Sequence, residues 1–350
     1  MTINPSQITF SSYDKFEGPY FRGTIPYTLP ESPDFWDKVL AAVAATEGKL
    51  DSINGYDKCI ISVSMIQFCE ANYFLTSKLL SHIAEKMGAN AVTGPLSDAL
   101  KMSNATFKKF DEGWRFQFLD ERGKVKTSDD QRALFFHSAS GLKGTWNGEQ
   151  KHHACVWAAG LASIWSDRTA QELQVRYIKA YLPNFTTSMV KSDLFDDPST
   201  GKWVDVARAV YTSFAANNPA NAARMYARFT ASTKFTKFSP EWTICLIKEL
   251  TFGPNISIYP IRYQAIKPVV ERLWNVTLPT VSLLKNPYGP GPVVEQEPID
   301  VPQTVIITDI KNHIIDDDDA NEKLIVPRSS IVEWVIRVIT YLISFFRISK

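Results

Sequence analysis

Two acids lie close together between Thr46 and Cys69, in the run T-E-G-K-L-D-S-I-N-G-Y-D-K-C-I-I-S-V-S-M-I-Q-F-C. Their placement suits proton chemistry. Upstream, Asp34 to Ala45 reads as a helix, with Asp34 as its cap and Phe35, Trp36, Val39, Leu40 and Val43 recurring on one face. Glu47 falls at or just past its last turn, and Gly48 is the residue type that commonly ends a helix in the left-handed conformation. A carboxylate at a helix C-terminus opposes the helix dipole and costs a little stability. Beside an apolar packing face, desolvation favours the protonated carboxyl that a general acid requires. A turn at Asn54-Gly55 then leads to the second acid, Asp57, and Ile60 to Phe68 reads as a short extended segment with serines interleaved.

This order of helix, acid, turn, acid and strand resembles the lysozyme superfamily. In phage-type lysozymes an E-G at a helix end is followed by a spaced aspartate and then by T-x-G-x-G-H on a strand. Glu47-Gly48, Asp57 and the run from Ser62 to Gln67 look similar. In goose-type lysozymes and lytic transglycosylases the acid is followed by G-L-M-Q, and Ser64-Met65-Ile66-Gln67 resembles that motif, with Ser64 where the family has glycine. A later stretch, Val210 to Pro219, is distantly similar to the A-Y-N-A-G-P segment of transglycosylases, whose tyrosine and asparagine line the cleft. It also reads as a plain helix ended by Asn-Asn-Pro.

The resemblance implies a mainly α (α+β) lysozyme-like helical domain that cleaves bacterial peptidoglycan between N-acetylmuramic acid and N-acetylglucosamine. Glu47 is then the general acid, and Asp57 the second carboxylate that a hydrolase needs. A transglycosylase needs only Glu47, because the muramyl 6-hydroxyl attacks in place of water. Tyr56, Ser62, Gln67, Tyr211 and Asn217 are the implied substrate contacts. The Ile66-Gln67 pattern leans to the transglycosylase and the Asp57 spacing to the hydrolase.

Composition narrows the other classes. With 350 residues, 45% apolar and 21% charged, the chain is expected to be globular. A net charge of +1 gives no electrostatic case for nucleic acid as a partner. Cys59, Cys69, Cys155 and Cys245 show no zinc spacing and read as small buried residues kept reduced. His152-His153 has no ligand partner at helical spacing, so neither metal nor cofactor is expected. Residues 1–12 lack the features of a signal peptide. The expected route to peptidoglycan is therefore a phage virion, made in the cytoplasm and delivered to the host envelope, with other virion proteins as partners.

Along the chain, residues 1–33 read as an extended arm and residues 34–276 as the globular domain. Within it, helices are expected over 71–87, 96–109, a pair within 141–182 ended by Pro183, and further segments within 203–229, 240–250 and 259–274. A β-hairpin is expected over Trp114–Thr127, turning at Glu121-Arg122-Gly123. Residues 277–330 read as a Pro-rich and acidic linker.

Residues 331–350 carry the clearest physical pattern. Glu333, Arg337, Thr340, Ser344 and Arg347 recur at helical steps on an otherwise apolar cylinder. Three readings remain open: a membrane-active helix, one buried in a homo-oligomeric assembly, or one docked on the chain's own core. Two function classes compete accordingly. One is a phage-borne glycosidase; the other is a non-catalytic virion or tail protein with a membrane-inserting C-terminal helix. Glu47 at the floor of an open groove favours the first, and Glu47 salt-bridged under a packed surface favours the second.

Overall fold

The helix expected from Asp34 forms as α1 (Phe35–Glu47). Asp34 accepts from the Asp37 N–H at 2.9 Å and Asp37 accepts from the Asp34 N–H at 3.1 Å, a reciprocal cap. Val39, Leu40, Ala42 and Val43 are fully buried where α1 packs against α7 (Lys202–Asn217) and α10 (Ile258–Trp274). The computed structural model describes residues 2–13, 15–56, 60–70, 75–111, 113–125, 141–186, 193–253 and 257–285, all within one unit, Met1–Ile314. They are mostly helical with two small antiparallel sheets, an α+β arrangement.

The first sheet is a meander of β1 (Thr9–Tyr13), β2 (Phe16–Phe21), β3 (Ile53–Asn54), β4 (Ser62–Val63) and β5 (Phe68–Cys69). It corrects the reading of residues 1–33 as an arm, since β1 and β2 belong to the sheet and Ile3, Ile8 and Phe21 belong to the core. Prolines and serines obscured these strands. What seats them is a close backbone approach: a Cβ on Gly18 would lie 2.0 Å from the Gly55 carbonyl oxygen. Asp51, fully buried, then ties the chain after β2 to the turn after α1, accepting from the Thr24 N–H at 2.8 Å and the Ile25 N–H at 2.9 Å.

The second sheet pairs β6 (Ala105–Phe110) with β7 (Gly113–Phe118). The expected hairpin therefore turns upstream of Trp114, and the expected helix over 96–109 is shortened to α4 (Ser97–Met102). Asn104 at φ +48° ends it. Aromatic pairing explains the choice of partner: Phe107 lies 4.8 Å from Phe116, and Phe116 lies edge-on 5.3 Å from Trp157 in the core. The foreseen turn at 121–123 exists as a tight loop, with Asp120 N donating to Lys124 O at 2.7 Å.

The remaining helices are α2 (Leu75–Met87), α3 (Asn90–Thr93), α5 (Gly148–Ile164), α6 (Arg168–Asn184), α8 (Pro219–Ser232), α9 (Pro240–Phe252) and α11 (Val281–Lys285). Pro183 lies inside the last turn of α6 rather than ending it. Asn218 breaks the chain between α7 and α8 and caps α8 through the Asn221 N–H at 3.0 Å. The globular part extends past the expected limit at residue 276. Leu278 and Leu284 are buried, and the Tyr263 hydroxyl donates to Pro279 O at 2.7 Å. The linker from residue 286 onward and the helix expected over 331–350 lie outside the described residues. Among the described residues no helix is long and apolar enough to cross a membrane.

Candidate active site

Two cross-strand rows prepare the site. The register opposes Ile53 to Val63 and Val63 to Phe68, and in the next row Asn54 to Ser62 and Ser62 to Cys69. Ile53 and Val63 are buried in the core, whereas Asn54, Ser62 and Cys69 line a cleft of about 270 Å³. Glu47 reaches the same cleft from the end of α1, Gln67 from the loop between β4 and β5, and Asn217 from the end of α7. An apolar wall is built from Leu75, Tyr181, Leu182 and Phe185, with Ile66, Phe68, Ala216 and Pro219 completing the lining.

The structure thus gathers Glu47, Ser62, Gln67 and Asn217 from three separate stretches of sequence. It does not bring Tyr56 or Tyr211 to the lining. Tyr56 packs against Tyr20 at 5.5 Å, and Tyr211 is buried in the core, edge-on to Tyr226 at 5.4 Å. Asp57 lies outside the described residues, and Glu47 is the carboxylate that lines the cleft among them.

Glu47 also has a counter-ion. Arg262 of α10 donates from Nη1 to Glu47 Oε1, with the two side chains 7% and 8% exposed, and from the same nitrogen to Thr46 Oγ1 at 2.8 Å. The charge that opposes the dipole of α1 is therefore compensated from outside the helix. Both discriminating features are present together, since Glu47 lines an open cleft and is ion-paired. Gly48 follows with φ +150°, beyond the ordinary left-handed cap, and a Cβ there would meet Ser52 Oγ at 2.7 Å.

The loop carrying Gln67 is strained. Ile60, Ser64 and Gln67 have φ of +69°, +78° and +54°, a region that non-glycine residues rarely occupy. Ser64 stands where the resembling families have glycine, and its backbone takes the conformation that glycine favours. The Gln67 side-chain amide donates to Ser64 O at 3.2 Å and lies 3.5 Å from Glu47 O. Ser64 Oγ and Gln67 Oε1 are buried without a hydrogen-bond partner.

Beyond β5, buried Glu70 accepts from Ser77 N at 2.8 Å and Ser77 Oγ at 2.6 Å, capping the start of α2, whose first residue, Leu75, lines the cleft. Desolvation pushes its carboxyl up to about 7, against the opposing pull of the Ser77 bonds and Lys78.

Cysteine chemistry differs from expectation. Cys69 is disulfide-bonded, whereas Cys155 and Cys245 are in no disulfide. Burial pushes the Cys155 thiol up to about 11, so it stays protonated. His153 is a core residue. Trp157 Nε1 donates to Ser103 Oγ at 2.7 Å, and the same hydroxyl is hydrogen-bonded to His153 Nε2 at 2.9 Å. Among the described residues no three His, Cys, Asp or Glu side chains are grouped to hold a metal ion.

Sequence reasoning missed Asn54, Cys69, the apolar wall and Arg262. Asn54 was visible as a turn residue. Arg262 has no local signal, because its contact with Glu47 spans 215 positions. Comparison of the chain with family models, curated proteins and solved structures finds no match.

Proposed function

We propose that the chain is a peptidoglycan-cleaving glycosidase of lysozyme-like type, carried in a phage virion for wall penetration, with Glu47 as its general acid. The observation that carries this reading is the cleft itself. Glu47, Ser62, Gln67 and Asn217, singled out by chemistry and resemblance, line one concave surface. Its polar side suits the hydroxyls and amides of an amino sugar, and its apolar wall suits the sugar's C–H face. In the proposed reaction Glu47 gives its proton to the glycosidic oxygen as the bond to the muramyl anomeric carbon breaks. In a muramidase a water, assisted by Asp57, supplies the new C–O bond. In a lytic transglycosylase the muramyl 6-hydroxyl supplies it, and its proton returns to Glu47. The disulfide at Cys69 fits a site of action outside a reducing cytoplasm.

The ion pair between Glu47 and Arg262 favours a second reading, in which the domain is a non-catalytic virion scaffold. Digestion of purified peptidoglycan by the wild-type chain and by Glu47→Gln separates them, with products read by mass. A general acid is worth about 100- to 10,000-fold in rate, so the variant is expected to lose nearly all digestion. Anhydro-muropeptides lost in the variant identify a transglycosylase, and reducing ends lost identify a muramidase that uses Asp57. Products unchanged in the variant, or no digestion by folded wild-type protein, support the scaffold.

A further inference from the structure

The geometry points to Arg262 as the positioning residue of the proposed acid, an inference that rests on Glu47 having that role. Arg262 comes from the first turns of α10 and meets Glu47 at the end of α1, so its guanidinium fixes the carboxylate from outside the cleft wall. Its hold is double. Nη1 donates both to Glu47 Oε1 and to Thr46 Oγ1. The Thr46 hydroxyl proton is directed to Val43 O at 3.1 Å, which turns its lone pairs towards the guanidinium. With Oε1 held by Arg262 and Arg262 anchored by Thr46, the proton that Glu47 gives to substrate leaves from Oε2, and the carboxyl keeps one orientation before and after the transfer.

An arginine serving only to knit the core is expected to satisfy its donors. Arg262 is 8% exposed, yet its Nε is buried without a partner. Its hydrogen bonds instead converge on two adjacent residues, Thr46 and Glu47. Tyr259, on the same helix, hydrogen-bonds Asn221 and feels the charges of Arg262, Glu47 and Arg224. The anchor therefore sits in a polar cluster that adjoins the cleft through Glu47.

The test measures kcat and KM for peptidoglycan digestion by the full chain as wild type, Arg262→Met, Arg262→Lys, Thr46→Val and Thr46→Val/Arg262→Met. Misplacing an acid by about 1 Å costs on the order of 100-fold, so Arg262→Met is expected to lower kcat by that order while KM stays near wild type. Arg262→Lys is expected to recover part of kcat. Thr46→Val should lower kcat less, and should add nothing in the Arg262→Met background, because it acts through Arg262. Folded Arg262→Met with wild-type kcat, a loss confined to KM, or additive losses in the double variant each overturn the assignment. Arg262→Met leaves a buried carboxylate unpaired, so folding is checked by thermal unfolding. Should it fail to fold, wild-type kcat in both Thr46→Val and Arg262→Lys overturns the role. Glu47→Gln with undiminished digestion overturns the parent reading and this inference together. Inactive Glu47→Gln beside fully active Arg262→Met overturns this inference alone.

Discussion

The two walls of the cleft are built in opposite ways. The strand wall carries the residues at φ +69°, +78° and +54°, the disulfide-bonded Cys69 and the unpartnered Ser64 Oγ and Gln67 Oε1. The helix wall, from α6 and α7, is regular, with no residue in the left-handed region, and Thr212 and Ser213 behind it bond back to Arg208 O at 2.8 Å and Ala209 O at 3.0 Å. Each left-handed non-glycine residue costs on the order of 1–3 kcal/mol, so the strand wall persists only because its surroundings impose it. The helix wall contributes to that constraint, since Phe68 of β5 packs edge-on against Tyr177 and Tyr181 of α6 at 5.6 and 5.2 Å. Left-handed residues gathered on the side that presents Ser62 and Gln67 are the pattern expected of a binding surface.

Weakening the helix wall should have the largest effect on stability. Leu182 is 1% exposed and lines the cleft, so Leu182→Ala removes core packing directly behind the site. A loss of about 3 kcal/mol is expected from the buried methyl groups and the cavity left behind, read as a lower denaturant midpoint with an unchanged slope. A loss below about 1 kcal/mol would mean that the wall collapses freely and constrains nothing.

Next in size is a pH effect at the junction of the walls. Glu70 rises from the ordinary 4.5 to about 7 in the folded protein. The folded state therefore holds this proton more tightly than the unfolded chain does. The resulting stability is fully present below about pH 4.5 and is lost as pH rises through 7. The difference is up to roughly 3 kcal/mol at one unit per 1.36 kcal/mol. Glu70→Gln keeps an acceptor for the Ser77 N–H and has no proton to lose. Its thermal midpoint should fall less than that of wild type between pH 4.5 and 7. Parallel wild-type and variant curves would show that Glu70 carries no such linkage.

These contrasts also mark what the sequence makes legible. The cap at Asp34, the stripe of α1 and the position of Glu47 follow from short-range rules, and the structure keeps them. The breaks at Asp167 and Asn218-Pro219 are equally local. Strands β1 and β2 were hidden because Pro19 and the serines dilute their alternation, and β2, which carries β1, is held by pairing with β3 across a long interval. β6 was read as helix because its partner, β7, decides its state through aromatic contacts. Arg262 and the apolar wall depend on tertiary packing and leave no periodic trace. Only one strained position was visible beforehand: the serine standing where the resemblance expects glycine.

That position gives the smallest predicted effect and the most direct test of the strand wall. Ser64 is fully buried at φ +78°, its N–H donates to Ser52 O at 3.0 Å, and its hydroxyl has no partner. Ser64→Gly removes the Cβ clash of the left-handed conformation, worth about 1–2 kcal/mol, and the buried hydroxyl with it. Glycine also widens the unfolded ensemble, which offsets up to about 1 kcal/mol of that gain. The net expectation is a stabilisation of about 1 kcal/mol in denaturant unfolding. Ser64→Ala keeps the clash and removes only the hydroxyl, so it should recover less. Equal gains from glycine and alanine would assign the cost to the buried hydroxyl. A destabilised Ser64→Gly would mean that the hydroxyl or its Cβ holds the loop, and the strand wall would then be supported from within rather than by the helices behind it.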